Sequence, residues 1–181
     1  LPIYREKIYF DERGFSDKAP TLMQFTAFQF AYLASGDVYK EATWMQESVV
    51  YQIFPDRFYN ADKSINPKNT KIWGSAVKTK AMFGGDIQGI IDKLGYLGEL
   101  GVNLLYLTPI FKSTSNHKYN TSDYYDIDPQ FGTLDTAKEL IKKCHEKGIK
   151  VIFDAVFNHS GSDFFAFKDL LQKQERSEEH M

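Results

Sequence analysis

Cysteine is almost missing: one residue, Cys144, in a chain of 181. That excludes an internal disulfide framework, and its place on the apolar side of a helical pattern marks it as a core thiol. No apolar run approaches the roughly 20 residues needed to span a bilayer. The N-terminus also lacks the charged, apolar and cleavage-site regions of a signal peptide. The chain starts at Leu1 instead of Met, as expected of part of a longer polypeptide, so that lack says nothing of the parent. An excess of one charge is absent too. With 22 basic and 24 acidic residues the net charge is -2, which gives no reason to expect nucleic acid or an anionic membrane as partner. There is no G-x-G-x-x-G after the first strand of the α/β part and no P-loop, which disfavours nucleotide binding. The lack of H-E-x-x-H and of paired C-x-x-C argues against zinc.

The residues that are present give a globular profile, 43% hydrophobic and 25% charged. Aromatics are plentiful, with 15 Phe and 11 Tyr; sugar-binding clefts and aromatic cores both use such residues. Residues 1–43 are β-like. Ile3–Phe10 alternates as a strand, Asp11–Asp17 supplies turn chemistry, and the aromatic run Phe25–Leu33 is broken by Gly36-Asp37. Two strands cannot bury a sheet face unaided, so this piece ends a larger β domain or packs on the α/β part of the chain.

From Trp44 the pattern alternates between strands and helices. Val49–Pro55 and Val102–Ile110 read as buried strands, each closed by a proline. Between them, after the polar loop Asn60–Thr70, a helix is expected from Asp86, with Ile87, Ile90, Ile91, Leu94, Leu97 and Leu100 on one stripe and Gly101 ending it. A long polar and aromatic loop is expected from Phe111 to Gly132. The next helix turns Leu134, Ala137, Leu140, Ile141 and Cys144 inward and stops at Gly148. Lys150–Val156 comes next as a third strand. This alternation predicts a parallel sheet with crossover helices, open or closed.

If the strands are parallel, their carboxyl ends share one rim. Asp56-Arg57, His117–Asp128 and Asn158-His159 then sit on it, and short Gly turns lie on the other. The stretch Lys150–His159, KVIFDAVFNH, places the carboxylate of Asp154 inside an apolar run. A charge there is costly unless paired or used. The motif alone suits a catalytic or binding cluster, or a strand-end Asp capping a loop beside an exposed His. The loop Ser115–Pro129 concentrates one His, three Tyr and three Asp. Its tyrosines could anchor a solvated loop to the core, or stack on the apolar face of a sugar while His and Asp bond hydroxyls.

Five blocks occur together and in order: Val49–Phe58 (VVYQIFPDRF), Phe83–Asn103, Leu107–Phe111 (LTPIF), Asn116–Gly132 (NHKYNTSDYYDIDPQFG) and Asp154–His159 (DAVFNH). They resemble the α-amylase family of glycoside hydrolases, and most closely its neopullulanase, cyclomaltodextrinase and maltogenic amylase branch. The resemblance implies an α/β fold: an incomplete (β/α)8 TIM barrel, its first three β/α units, preceded by the end of an N-terminal β-sandwich domain. The implied domains are 1–43 (end of the sandwich), 44–159 (three strands and two helices of the barrel) and 160–181 (start of a domain inserted after the third strand). Beyond Ser177 the match is lost.

The implied chemistry is retaining hydrolysis of α-1,4-glucosidic bonds in cyclodextrins, pullulan or maltooligosaccharides. It needs two carboxyl groups roughly 5 Å apart. In the family the nucleophile follows the fourth strand, the acid/base the fifth and a further Asp the seventh, so no catalytic residue falls in this chain. The resemblance makes His159, Tyr119, His117 and Asp154 substrate-binding: His159 on the sugar next to the scissile bond, Tyr119 stacked on that ring, Asp154 buttressing the floor. Asn120 stands where the branch has Asp and receives no role. The expected partner is an α-glucan, with homodimerisation in the full-length protein. The chain by itself is expected to be inactive; the alternative is a non-catalytic glucan-binding or truncated, non-functional piece. Ca²⁺ is the implied ion, at Asn60, Asp62, Asn66, Gly84 and Asp86. Ile65 replaces a common Asn ligand there and Asn66 an Asp, which weakens the site, and a plain Asn/Asp turn is the other reading.

Overall fold

A computed structural model describes residues 9–11, 14–16, 28–29 and 42–173 of the chain. Two compact units are present, 1–46 and 47–181. In the first, strands β1 (Tyr9–Asp11), β2 (Gly14–Ser16) and β3 (Phe28–Gln29) form an antiparallel sheet in the order β2-β1-β3. Most of the strands expected over Ile3–Phe10 and Phe25–Leu33, and the residues after 173, lie outside the described residues.

The second unit is built on three parallel strands, β4 (Val50–Ile53), β5 (Leu104–Leu107) and β8 (Lys150–Phe153), in the order β4-β5-β8. Their register is one-to-one: Val50 opposes Leu104, which opposes Lys150. In the central strand Leu104, Leu105 and Leu107 are all buried, as a parallel strand covered on both faces requires. The flanking strands are less covered. Val151, Ile152 and Phe153, expected to be buried, are half-exposed, because among the described residues no strand pairs with the outer edge of β8.

Helices α1 (Ile87–Asp92), α2 (Leu94–Glu99) and α3 (Leu134–Glu146) link these strands, and α1 packs on α3. Ile87, Ile90, Ile91, Leu94, Leu97, Ala137, Leu140 and Cys144 join Ile53, Leu105 and Leu107 in one core. The single helix expected after Asp86 is two. Lys93 tightens the chain with an i→i−3 bond to the Ile90 carbonyl, and its ammonium lies 4.2 Å from the Tyr59 ring centroid. Leu100 and Leu134, expected inside, face water: the first is the C-cap of α2, the second opens the first turn of α3. Both helical segments then stop the same way. Gly101 and Gly148 take left-handed backbone, φ +76° and +72°. Val102 N–H reaches back to Leu97 and Ile149 N–H to Cys144, the 6→1 bond that satisfies a helix's last carbonyls.

The stretch expected as a loop from Phe111 to Gly132 contains a β-hairpin, β6 (Phe111–Ser113) with β7 (Thr121–Ile127). It stands at the carboxyl end of β5. Last comes α4 (Phe165–Lys173). No helix among the described residues is long and apolar enough to cross a membrane.

Candidate functional site

Strand β8 ends at Phe153, so Asp154 sits just beyond the strand and not within it. Its N–H still bonds the Leu107 carbonyl (2.9 Å), which levels Asp154 with the end of β5. The loop after it is held by Tyr124, whose hydroxyl lies 2.6 Å from the Val156 carbonyl and 2.9 Å from that of His159. The Tyr124 ring is steadied in turn by Phe111, Phe157 and Phe164. His159 is thereby positioned through its backbone.

All four residues expected to bind sugar come together here. Tyr119 donates its phenolic proton to Asp154 Oδ2 at 2.6 Å. His159 Nε2 lies 3.0 Å from the Tyr119 carbonyl. A carbonyl only accepts, so Nε2 carries the proton and, in the neutral ring, Nδ1 is an acceptor facing Asn158 Nδ2 at 3.4 Å. His117 Nδ1 accepts the Tyr119 N–H at 3.1 Å, and the two rings lie 5.9 Å apart, tilted by 30°. The imidazole of His159 is exposed and the Tyr119 phenol partly so, open to a ligand.

The hydrogen bond to Asp154 pushes the Tyr119 phenol up to about 12, because a carboxylate favours the protonated form. Tyr106 is raised as well, by burial first and by its hydrogen bond to Asp154 second. Asp154 therefore gathers two phenols, one from β5 and one from the hairpin. Tyr106 was not singled out from sequence; its signal was its place as the one polar-tipped side chain in Leu104–Leu107.

Further residues missed by sequence reasoning shape the hairpin. Lys118 is 1% exposed, takes left-handed backbone, and sets its ammonium 2.8 Å from Asp128 and 3.1 Å from the Ser113 carbonyl. Burial pulls its pKa down and Asp128 counters this. Asn120, given no role, accepts from Ser113 and Ser115 and donates to Thr114, closing the hairpin tip. Buried Asp56 accepts from the N–H groups of Phe83 and Gly84 and from Arg57 Nε, which locks the Gly84-Gly85 turn.

Among the described residues no cluster of three or more His, Cys, Asp or Glu could hold a metal. Any ion would rely on amide and carbonyl oxygens with at most two carboxylates, as Ca²⁺ accepts. The amide oxygens Asn60 Oδ1 and Asn66 Oδ1 are buried without a hydrogen-bond partner. Gly84, at φ +78°, is pressed against both side chains, and a Cβ there would strike them. Those two oxygens fit a hard cation. The carboxylate of Asp86 is engaged elsewhere: it accepts from the N–H groups of Ala61, Asp62 and Gly89, capping α1. Burial pushes its pKa up, against those N–H groups. Asp62 accepts from Ser64, which holds its carboxyl below the usual range.

Residues 52–180 match the family described as alpha amylase, catalytic domain. A cyclomaltodextrinase from Thermoanaerobacter pseudethanolicus is 53% identical over 172 residues, 95% of this chain and 30% of the relative. Neopullulanase 2 from Thermoactinomyces vulgaris is 49% identical over 95% of the chain and 29% of its own length. Among solved structures, the cyclic alpha-maltosyl-(1→6)-maltose hydrolase from Arthrobacter globiformis superposes with a TM-score of 0.72 at 47% identity, over 75% of this chain and 31% of that one. The chain belongs to the α-amylase family of glycoside hydrolases and spans about a third of the length of these relatives.

Proposed function

We propose that the chain is part of a retaining glycoside hydrolase that cleaves α-1,4-glucosidic bonds in cyclodextrins, pullulan or maltooligosaccharides. In this reading β4, β5 and β8 are the first three strands of an eight-stranded barrel, and residues 1–43 end an N-terminal β-sandwich. Residues 160–181 begin an inserted domain. The observation that carries the reading is the bond from Tyr119 to Asp154, with His159 bonded to the Tyr119 backbone, at the carboxyl ends of parallel strands. Binding groups collect at that end of such sheets. Tyr119 offers a ring to the apolar face of a glucose unit. His159 Nδ1, held only by its 3.4 Å contact with Asn158, can accept from one of the sugar's hydroxyls, and Asp154 fixes the phenol. The nucleophile and the acid/base carboxyl belong to parts of the enzyme outside this chain, so the chain alone has no hydrolytic activity.

In the complete enzyme, His159→Ala is expected to lower kcat/KM by orders of magnitude while circular dichroism stays unchanged. Unaltered kinetics on β-cyclodextrin remove His159 from the site. Calcium belongs to the same proposal, held by Asn60, Asn66 and Asp62 with the backbone at Gly84. Bound there, it would supply charge that ties the Asn60–Thr70 loop to the Gly84-Gly85 turn. Calorimetric titration of the complete enzyme with Ca²⁺ is expected to show binding that Asn66→Ala abolishes; no heat at millimolar calcium ends that part.

A further inference from the structure

The loop between Pro67 and Ala81 leaves apolar side chains in water: Ile72 is 83% exposed, Trp73 73% and Val77 74%. They are not scattered. Trp73, Gly74, Ser75 and Val77 close with Arg57 and Phe83 around a cavity of about 320 Å³. That is near the lower end of the ~300–1,000 Å³ typical of small-molecule sites. It suits single sugar rings better than a helix or a strand of a partner.

The cavity is braced. Arg57 Nε bonds Asp56, and Nη2 reaches the carbonyls of Lys78 (3.4 Å) and Ala81 (2.9 Å). The same guanidinium lies 4.5 Å from the Phe83 ring centroid. Its Nη1, the indole N–H of Trp73 and the Ser75 hydroxyl have no hydrogen-bond partner among the described residues. An open indole face beside unspent donors and an acceptor matches a pyranose, which packs its C–H face on an aromatic and bonds hydroxyls at its edge.

Its placement matters as much as its lining. Asn116 Nδ2 donates to the carbonyls of Thr79 and Ala81, 2.9 Å each. Asn116 immediately precedes His117, so one side chain bridges the loop of the cavity to the hairpin tip that carries Tyr119. The Ala81 carbonyl is shared between Asn116 and Arg57.

We infer that the Trp73 cavity is an accessory subsite for a glucose unit of the same α-glucan chain that the Tyr119–Asp154–His159 cluster engages. This rests on the function proposed for that cluster. A long substrate then touches both places, and a short one touches the cluster alone.

The test compares maltoheptaose with maltotriose on the complete enzyme, using Trp73→Ala, Trp73→Phe and His159→Ala. Trp73→Ala is expected to raise KM for maltoheptaose about fivefold, the size of one aromatic contact, and more than it raises KM for maltotriose. Trp73→Phe is expected to restore most of that difference. Equal KM values for wild type and Trp73→Ala overturn the inference, and so does an equal rise for both sugars, which marks a structural role. An unchanged KM together with protein self-association that Trp73→Ala abolishes assigns the face to a second copy and also overturns it. Loss of turnover in His159→Ala alongside any of these results leaves the cluster standing and only the subsite refuted. If the wild type cleaves neither sugar, the proposed function falls and takes the subsite with it.

Discussion

Tyr119 keeps its proton because Asp154 accepts it, which places the phenol at about 12 against an ordinary 10.0. A folded-state value above the unfolded one stabilises the fold fully below pH 10, and the contribution is lost as pH rises through about 12. Tyr119→Phe is therefore expected to be less stable than wild type at neutral pH. The gap should shrink between pH 10 and 12, as read by denaturant unfolding across that range. Asp154→Asn should bring the phenol back toward 10.0 in a spectrophotometric titration. At this scale the sequence was informative where a motif names residues. His117, Tyr119, Asp154 and His159 sit in two of the five ordered blocks, and the structure brings all four together. It was silent on Tyr106 and Lys118. Their parts depend on which way a strand or a left-handed turn aims a side chain, and composition does not encode that.

The hairpin β6–β7 is built around a charge pair with almost no water. Lys118 and Asp128 leave 1% and 8% of their side chains exposed. Asp128 also accepts from the N–H groups of Ser113 and Gln130, so it joins β6 to the turn after β7. Removing one member strands the other in a dry site. Asp128→Ala is expected to destabilise by about 3–5 kcal/mol in equilibrium unfolding. Lys118→Met in the same background should recover part of that loss, because it removes the orphaned charge. Sequence patterning misread this element. The Asn, Asp, Lys and Ser of residues 115–128 look like loop chemistry, yet Thr121–Ile127 pairs as a strand, with Thr121, Asp123 and Ile127 opposite Ser113, Lys112 and Phe111. The helices were legible as far as their apolar stripes ran. The break at Lys93 escaped, because the apolar stripe runs through it without interruption, from Ile90 and Ile91 to Leu94 and Leu97.

For the molecule as a whole, the parallel sheet has a covered centre and two outer strands with no neighbour beyond them among the described residues. Val50 is 55% exposed and Phe157 85%. Open ladders and uncovered apolar groups promote association. The 181-residue chain by itself is expected to be marginal, eluting from a sizing column as aggregates or mixed species and melting over a broad range. A monodisperse monomer with a sharp calorimetric transition would contradict this. The α/β character and the parallel order were readable from the strand–helix alternation, because a short Gly turn after each helix leaves few routes back. The exposure of β4 and β8 was not, since an apolar strand reads alike whether a neighbour covers it or not.

The one-to-one ladder from Val50 through Leu104 to Lys150 limits how this chain can change length. Adding or deleting a single residue inside β8 would turn Asp154 to the opposite side of the sheet, away from both phenols. The connections between strands carry no such parity. A one-residue change of length is thus expected to be tolerated in the turns and not within a strand.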